Sequence, residues 1–315
     1  MRTIQPIRYL RIVCAALLLL TACRKDNAKS PSAPTTTDDA AGSDLVLTPA
    51  GLMSRSNVHF IAPGYVLSVE HGRLQKLESK TGRMIEDFGE VKSTAVSPAG
   101  VRAAAASGWI AYAFWSNPTT SSPITNFTTN WVVPSVPSKQ SSQTIFLFNG
   151  LQDGTTSTSY IVQPVLQWGP SAAGGGKFWS VTNWYVSSSQ AFFGTLVNVS
   201  AGTSLQGVIK QTAVSGSSYS YNSSFTGFSS ASALQVNNVP QAFWAAETLE
   251  SYGVNTPSNE YPPNTDVAFS SIQILKGTTN ASITWTPVQA VAGSAQKAVV
   301  VSNSSPGGQV DVYFR

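Results

Sequence analysis

From about Pro123 onward the chain is a succession of short segments rich in β-branched and aromatic residues, almost without charge. "NFTTNWVV", "QTIFLFNG", "SYIVQPVLQW", "KFWSVTNWYV", "QAFFGTLVNVS", "SLQGVIKQT", "DVAFSSIQIL" and "KAVVVS" are separated by clusters of Gly, Pro and Asn. That spacing predicts an all-β sandwich of two antiparallel sheets. Leucine-rich helical periods are nearly absent, which excludes an α/β enzyme, and no repeat of fixed length argues for a propeller or solenoid.

Charge divides the chain unevenly. Residues 1–100 hold 12 Lys/Arg and 9 Asp/Glu, whereas residues 101–315 hold 7 and 6. The net charge of +4 is modest, and no basic patch interleaves with aromatics, so a nucleic-acid partner has no support.

The front third has its own signals. Arg2, Arg8 and Arg11 precede the apolar run Ile12 to Leu20, which closes in "LTAC". A basic start, a short apolar core and small residues before the cut mark a secretory signal over 1–22, too short for a comfortable membrane span. "LTAC" also resembles a bacterial lipobox, which implies lipidation of Cys23 and a lipoprotein at the outer membrane or cell surface. Cys14 lies within the signal, so the mature chain has one cysteine and no internal disulfide. Residues 23–44 read as a flexible tether, polar and rich in Pro, Ser and Thr. Residues 45–100 read as a small module of two or three strands with turns at Pro63-Gly64, His71-Gly72 and Thr81-Gly82. A pro-segment and a module packed on the main body are both open. Residues 101–315 form the sandwich.

The body's absences restrict its chemistry. Both histidines, His59 and His71, lie in the front module, and no His or Cys follows residue 100. A Ser-His-Asp triad, a Cys-His dyad and His/Cys zinc sites are therefore excluded there. No phosphate-binding or dinucleotide glycine motif occurs, and "AAGGG" reads as a turn. The acids that remain are Asp153, Glu247, Glu250, Glu260, Asp266 and Asp311. Calcium would need several of them in one loop, and only "NEYPPNTD" comes near. No cofactor or metal is expected. Glu247 and Glu250 differ by three residues, so on one strand they face opposite ways. As a strand, "AFWAAETLESYGV" sets Glu247 in an apolar row, where desolvation raises a carboxyl's pKa. As a short helix, it leaves Glu247 exposed and idle.

Several motifs then fall in one order. "NWVVPSVP" (130–137), "NGLQDG" (149–154), "YIVQPV" (160–165), "NWYV" (183–186), "VSAGTSLQGVI" (199–209) and "AFWAAE" (242–247) together resemble the glutamic peptidases, or eqolisins, over roughly residues 123–275. The resemblance implies a sandwich of the concanavalin A-like or jelly-roll type and an exported acid endopeptidase acting on polypeptide substrates. It places the catalytic glutamine on Gln163 and the catalytic glutamate on Glu247. Glu247 would act as general base on a water and then as acid toward the leaving amine. Gln163 would hold the water and donate to the developing oxyanion. Phe148, Asp153, Asn183 and Trp184 would line the substrate, and Glu250 would be a bystander. The chain departs from the family pattern at several places: Asn183 stands for a glutamate, Val186 for a proline, Phe243 for a glutamate and Thr203 for an aspartate. The reading requires Gln163 and Glu247 to meet on one open concave face. The alternative is a non-catalytic surface sandwich that binds glycans or proteins through Trp168, Trp179 and Trp184.

Overall fold

The computed structural model describes residues 44–91, 107–154 and 159–315. Cys23, the leader and the tether lie outside the described residues. These described residues belong to one compact unit.

The described residues begin with a hairpin of Leu45–Thr48 (β1) and Gly51–Ser54 (β2), which among the described residues pair only with each other. Val58–Phe60 (β3), Tyr65–Glu70 (β4), Arg73–Glu78 (β5) and Met84–Glu90 (β6) complete the front module. The body opens with Gly108–Ser116 (β7), Ile124–Val132 (β8), Thr144–Gln152 (β9), Tyr160–Ser171 (β10) and Gly174–Ser187 (β11). Ala191–Phe193 (β12), Val197–Val199 (β13), Ser204–Ser215 (β14), Ser218–Phe225 (β15) and Leu234–Val239 (β16) follow. The last strands are Trp244–Tyr252 (β17), Asp266–Lys276 (β18), Thr279–Asn280 (β19), Thr286–Gln289 (β20), Lys297–Ser302 (β21) and Gly308–Tyr313 (β22). Among the described residues no helix is long and apolar enough to cross a membrane.

Two large sheets result. The nine-stranded sheet runs β20-β7-β17-β9-β10-β11-β12-β3, with β13 also beside β11. The eleven-stranded sheet runs β21-β22-β18-β8-β14-β15-β16-β4-β5-β6, with β19 beside β18. The expected sandwich is present, but its sheets are not wholly antiparallel. β3 joins β12 in parallel, and β4 joins β16 in parallel. The front module therefore extends both sheets, and these added strands cover edges that β12 and β16 would otherwise leave unpaired. Among the described strands, only the β1–β2 hairpin stands apart from the two large ladders.

The central strands of the nine-stranded sheet, β17, β9 and β10, are buried on both faces along nearly all their length. β9 is buried at every position, which is why "QTIFLFNG" reads as an apolar run without alternation. One face meets the other sheet in the main core, with Leu147, Leu166, Tyr185 and Leu249 packed near Trp131 and Phe269. The opposite, outer face carries a second apolar cluster around Trp109, Phe146, Phe148, Val165, Trp184 and Trp244. Leu47 and Met53 of the hairpin pack against that outer cluster, and the Ala172 N–H donates to Leu47 O at 2.8 Å.

Candidate active site

The stretch around Glu247 is a strand, β17, paired with β7 on one side and β9 on the other. Strand alternation then decides what each acid sees. Glu247 faces the other sheet: Thr129 on β8 donates its hydroxyl to Glu247 Oε1 at 2.5 Å. Asn149 pairs directly with Glu247 and points the same way, since a side chain added at Gly207 on β14 would meet Asn149 Oδ1. Glu247 is wholly buried, and burial pushes its carboxyl well above the ordinary carboxylate range despite the Thr129 bond. Glu247 Oε2 and both polar atoms of Asn149 have no hydrogen-bond partner.

Gln163 lies on the other face. Its β11 partner is Trp184, a member of the outer cluster, whereas its neighbour Pro164 points at Gly207 between the sheets. Gln163 is fully buried, with Nε2 and Oε1 unpartnered. The expected meeting of Gln163 and Glu247 does not occur. The backbone of the nine-stranded sheet separates them, because β17 sits in the register that pairs Ala246, not Glu247, with Gly150. No single water can touch both side chains.

The other candidates divide between the faces. Phe148 and Trp184 share the outer face with Gln163; Phe148 stands edge-on to Trp109 at 5.7 Å, and Trp184 lies 5.1 Å from Phe193. Asn183 is inter-sheet, donating to Ser232 O at 2.8 Å and accepting from the Ser223 hydroxyl at 2.6 Å, so it ties the sheets together. Asp153 accepts from the Ser159 N–H at 2.8 Å and from the Ser159 hydroxyl, joining the end of β9 to the start of β10. Trp168, Trp179 and Trp184 are each at most 1% exposed, so none offers the open ring that a glycan would stack on. In "NEYPPNTD", Glu260 pairs with Lys139 at 2.7 Å and accepts from the N–H groups of Asn255 and Thr256, which accounts for that acid structurally. Among the described residues no three His, Cys, Asp or Glu side chains group as metal ligands.

The carboxyl that does share Gln163's face is Glu250. It pairs with Phe146 of the outer cluster, and Gln167 pairs with Phe146 from β10. Glu250 is fully buried; burial raises its carboxyl to about 8, against the opposing hydrogen bond from the Tyr252 hydroxyl at 2.5 Å. Its Oε2 has no partner, nor do Thr248 Oγ1 and Trp184 Nε1 on the same face. Glu250 stands in the row of Gln167, four residues along from Gln163, or about 13 Å at strand rise. Counting parity within "AAETLESY" shows that only one of the two glutamates can share a face with a given residue. It does not show which one.

No family model matches the sequence, and no curated protein matches it. Solved structures do match. One is scytalido-glutamic peptidase with a peptide-based transition-state analogue, 16% identical, with a TM-score of 0.42, covering 66% of this chain and 98% of that one. Another is SCP-B, a member of the eqolisin family of peptidases in complex with the tripeptide Ala-Ile-His, 15% identical, with a TM-score of 0.40 and the same coverage. A third is the CBM2 module of an evolved Dit protein from Lactobacillus casei phage J-1, 15% identical, with a TM-score of 0.27, covering 44% of this chain and 60% of that one.

Proposed function

We propose that the outer face of the nine-stranded sheet is a cleft for an extended polypeptide, in an exported lipoprotein anchored through Cys23. The observation that carries this reading is the set of buried polar atoms without partners on one face: Gln163 Nε2 and Oε1, Thr248 Oγ1, Glu250 Oε2 and Trp184 Nε1. An unpaired buried polar atom costs about 1–3 kcal/mol, and several on one face call for a ligand that pairs them. Part of that face is already occupied by extended polypeptide, since β1 bonds to Ala172 through Leu47 O, and a ligand would reach the buried polar atoms by displacing that hairpin. The order of motifs shared with glutamic peptidases points to the same class of ligand.

Peptide-bond hydrolysis is the second reading. It is favoured by Gln163 and a protonatable Glu250 on one face, and it excludes Glu247, which lies behind the sheet. Catalytic groups must lie within hydrogen-bond reach of the reacting atoms. Gln163 and Glu250 stand too far apart to share one water, so binding is the function the geometry supports best. The test is a titration with a denatured, extended polypeptide, read by the fluorescence of Trp109 and Trp184 and in parallel by peptide release at acidic pH. Gln163→Ala and Trp184→Phe are expected to weaken binding about tenfold, the loss of one or two hydrogen bonds. Glu247→Gln is expected to leave binding unchanged. Cleavage that Gln163→Ala and Glu247→Gln both abolish, in folded variants, would overturn the reading and restore that pair.

The anchor has its own check. Cells labelled with radioactive palmitate should yield a labelled wild-type chain and an unlabelled Cys23→Ala chain. Equal labelling of the two would sink the lipoprotein assignment.

A further inference from the structure

The outer face of the eleven-stranded sheet, on the far side of the sandwich from the cleft, carries a groove of about 570 Å³ over β8, β14 and β18. Its floor is a polar row crossing three strands. Ser270 pairs with Asn130, and Asn130 pairs with Gln206. The Thr226 hydroxyl donates to Gln206 Oε1 at 2.7 Å, and Gln206 Nε2 donates to Asn130 Oδ1 at 2.9 Å. This relay engages both amide oxygens. It leaves one N–H of Gln206 and both N–H groups of Asn130 free to face the groove. Asp266 supplies an acceptor in the same groove, and Val132, 53% exposed, supplies an apolar wall.

That combination selects a ligand. Fixed N–H donors beside a carboxylate suit a group that accepts and donates together, which is a hydroxyl. An anionic ligand would meet Asp266, and no Lys or Arg lines the groove to offset it. A wholly apolar ligand would leave the amide donors unpaired. Strand addition is also ruled out: β8 is already paired with β14 and β18, so the floor has no free edge. We infer that this groove binds a neutral glycan, with Asn130 and Gln206 donating to sugar hydroxyls, Asp266 accepting from them and Val132 packing on a sugar C–H face. The site is independent of the polypeptide cleft and needs none of the buried tryptophans.

The experiment is an NMR titration of the isotope-labelled protein with cellohexaose, xylohexaose and maltohexaose in turn. At least one is expected to shift the side-chain amide signals of Asn130 and Gln206. The double variant Asn130→Ala/Gln206→Ala is expected to bind that sugar about tenfold or more weakly. Ala268→Arg, which fills the groove and leaves the amides in place, is expected to abolish binding while peptide binding in the cleft persists. No shift with any of the three sugars, shifts confined to the outer cluster around Trp184, or full affinity in Ala268→Arg would each overturn the assignment.

Discussion

Between pH 4.5 and about 8 the protein is expected to lose stability as the pH rises, and Glu250→Gln is expected to remove a large part of that loss. Glu250 is buried on the outer face with its carboxyl raised to about 8, first by desolvation and against the Tyr252 hydrogen bond. The folded chain thus holds a proton that the unfolded chain releases above about pH 4.5. Unfolding releases protons across this window, so stability falls with rising pH and levels off above the folded value. At about 1.4 kcal/mol for each pH unit, the cost is of the order of 4–5 kcal/mol. Glu247 adds in the same direction, since burial raises it also and Thr129 only partly opposes. Among the described residues neither carboxyl has a cationic partner.

A neutral amide at position 250 removes the ionisation cost and leaves one buried N–H₂ in place of the unpartnered Oε2, a penalty of about 1–3 kcal/mol. The net gain at mildly alkaline pH is therefore about 1–4 kcal/mol, and at acidic pH the variant should be less stable than wild type. Urea denaturation at several pH values measures both. A wild-type midpoint that is flat, or that rises, between acidic and mildly alkaline pH would mean that these carboxyls are not held as described.

Gly207→Val is expected to abolish folding, and Gly207→Ala to cost about 1–3 kcal/mol, the range for overpacking a well-filled core. Gly207 sits on β14 where the two sheets touch. A Cβ there would lie 2.3 Å from Asn149 Oδ1, 2.8 Å from the Trp131 ring and 2.9 Å from Pro164 Cγ. The backbone dihedral is not the constraint; the space is. Asn149 makes no hydrogen bond through its side chain, so trimming it sacrifices little. Asn149→Ala should therefore restore part of what Gly207→Ala loses, and the two changes should couple in a double-mutant cycle. Simple additivity would show that Asn149 and Gly207 do not contact each other across the sheets.

Much of the fold was legible beforehand for a plain reason. Alternating or continuous β-branched and aromatic runs bounded by Gly, Pro and Asn have few other stable arrangements. "AFWAAETLESYGV" was different: its residues left helix and strand both open, only the order of motifs favoured the strand, and β17 spans Trp244–Tyr252. The integration of the front module was not legible. Its residues left a pro-segment and a module packed on the body both open, and the parallel pairings to β12 and β16 place it in the sandwich. Asn183 and Asp153 carried no signal separating a cleft role from a bracing one, because the hydrogen bonds that join Asn183 to Ser223 of β15 and to Ser232, and Asp153 to Ser159, form only once the chain has folded.

What the sequence determined by itself is a body without His or Cys, made largely of strands, in which Glu247 and Glu250 face opposite ways wherever their segment is extended. Composition excludes chemistry wherever the needed atoms are missing, and a period of two assigns neighbours on a strand to opposite faces. What only the tertiary structure decided is which glutamate shares a face with Gln163. Shifting β17 by one residue against β9 would exchange the two, and that register is set by packing: Trp244 and Ala246 lie in the outer cluster, while Ala245 and Leu249 lie between the sheets. Local sequence records the alternation along one strand; the phase between two strands depends on contacts made from across the fold.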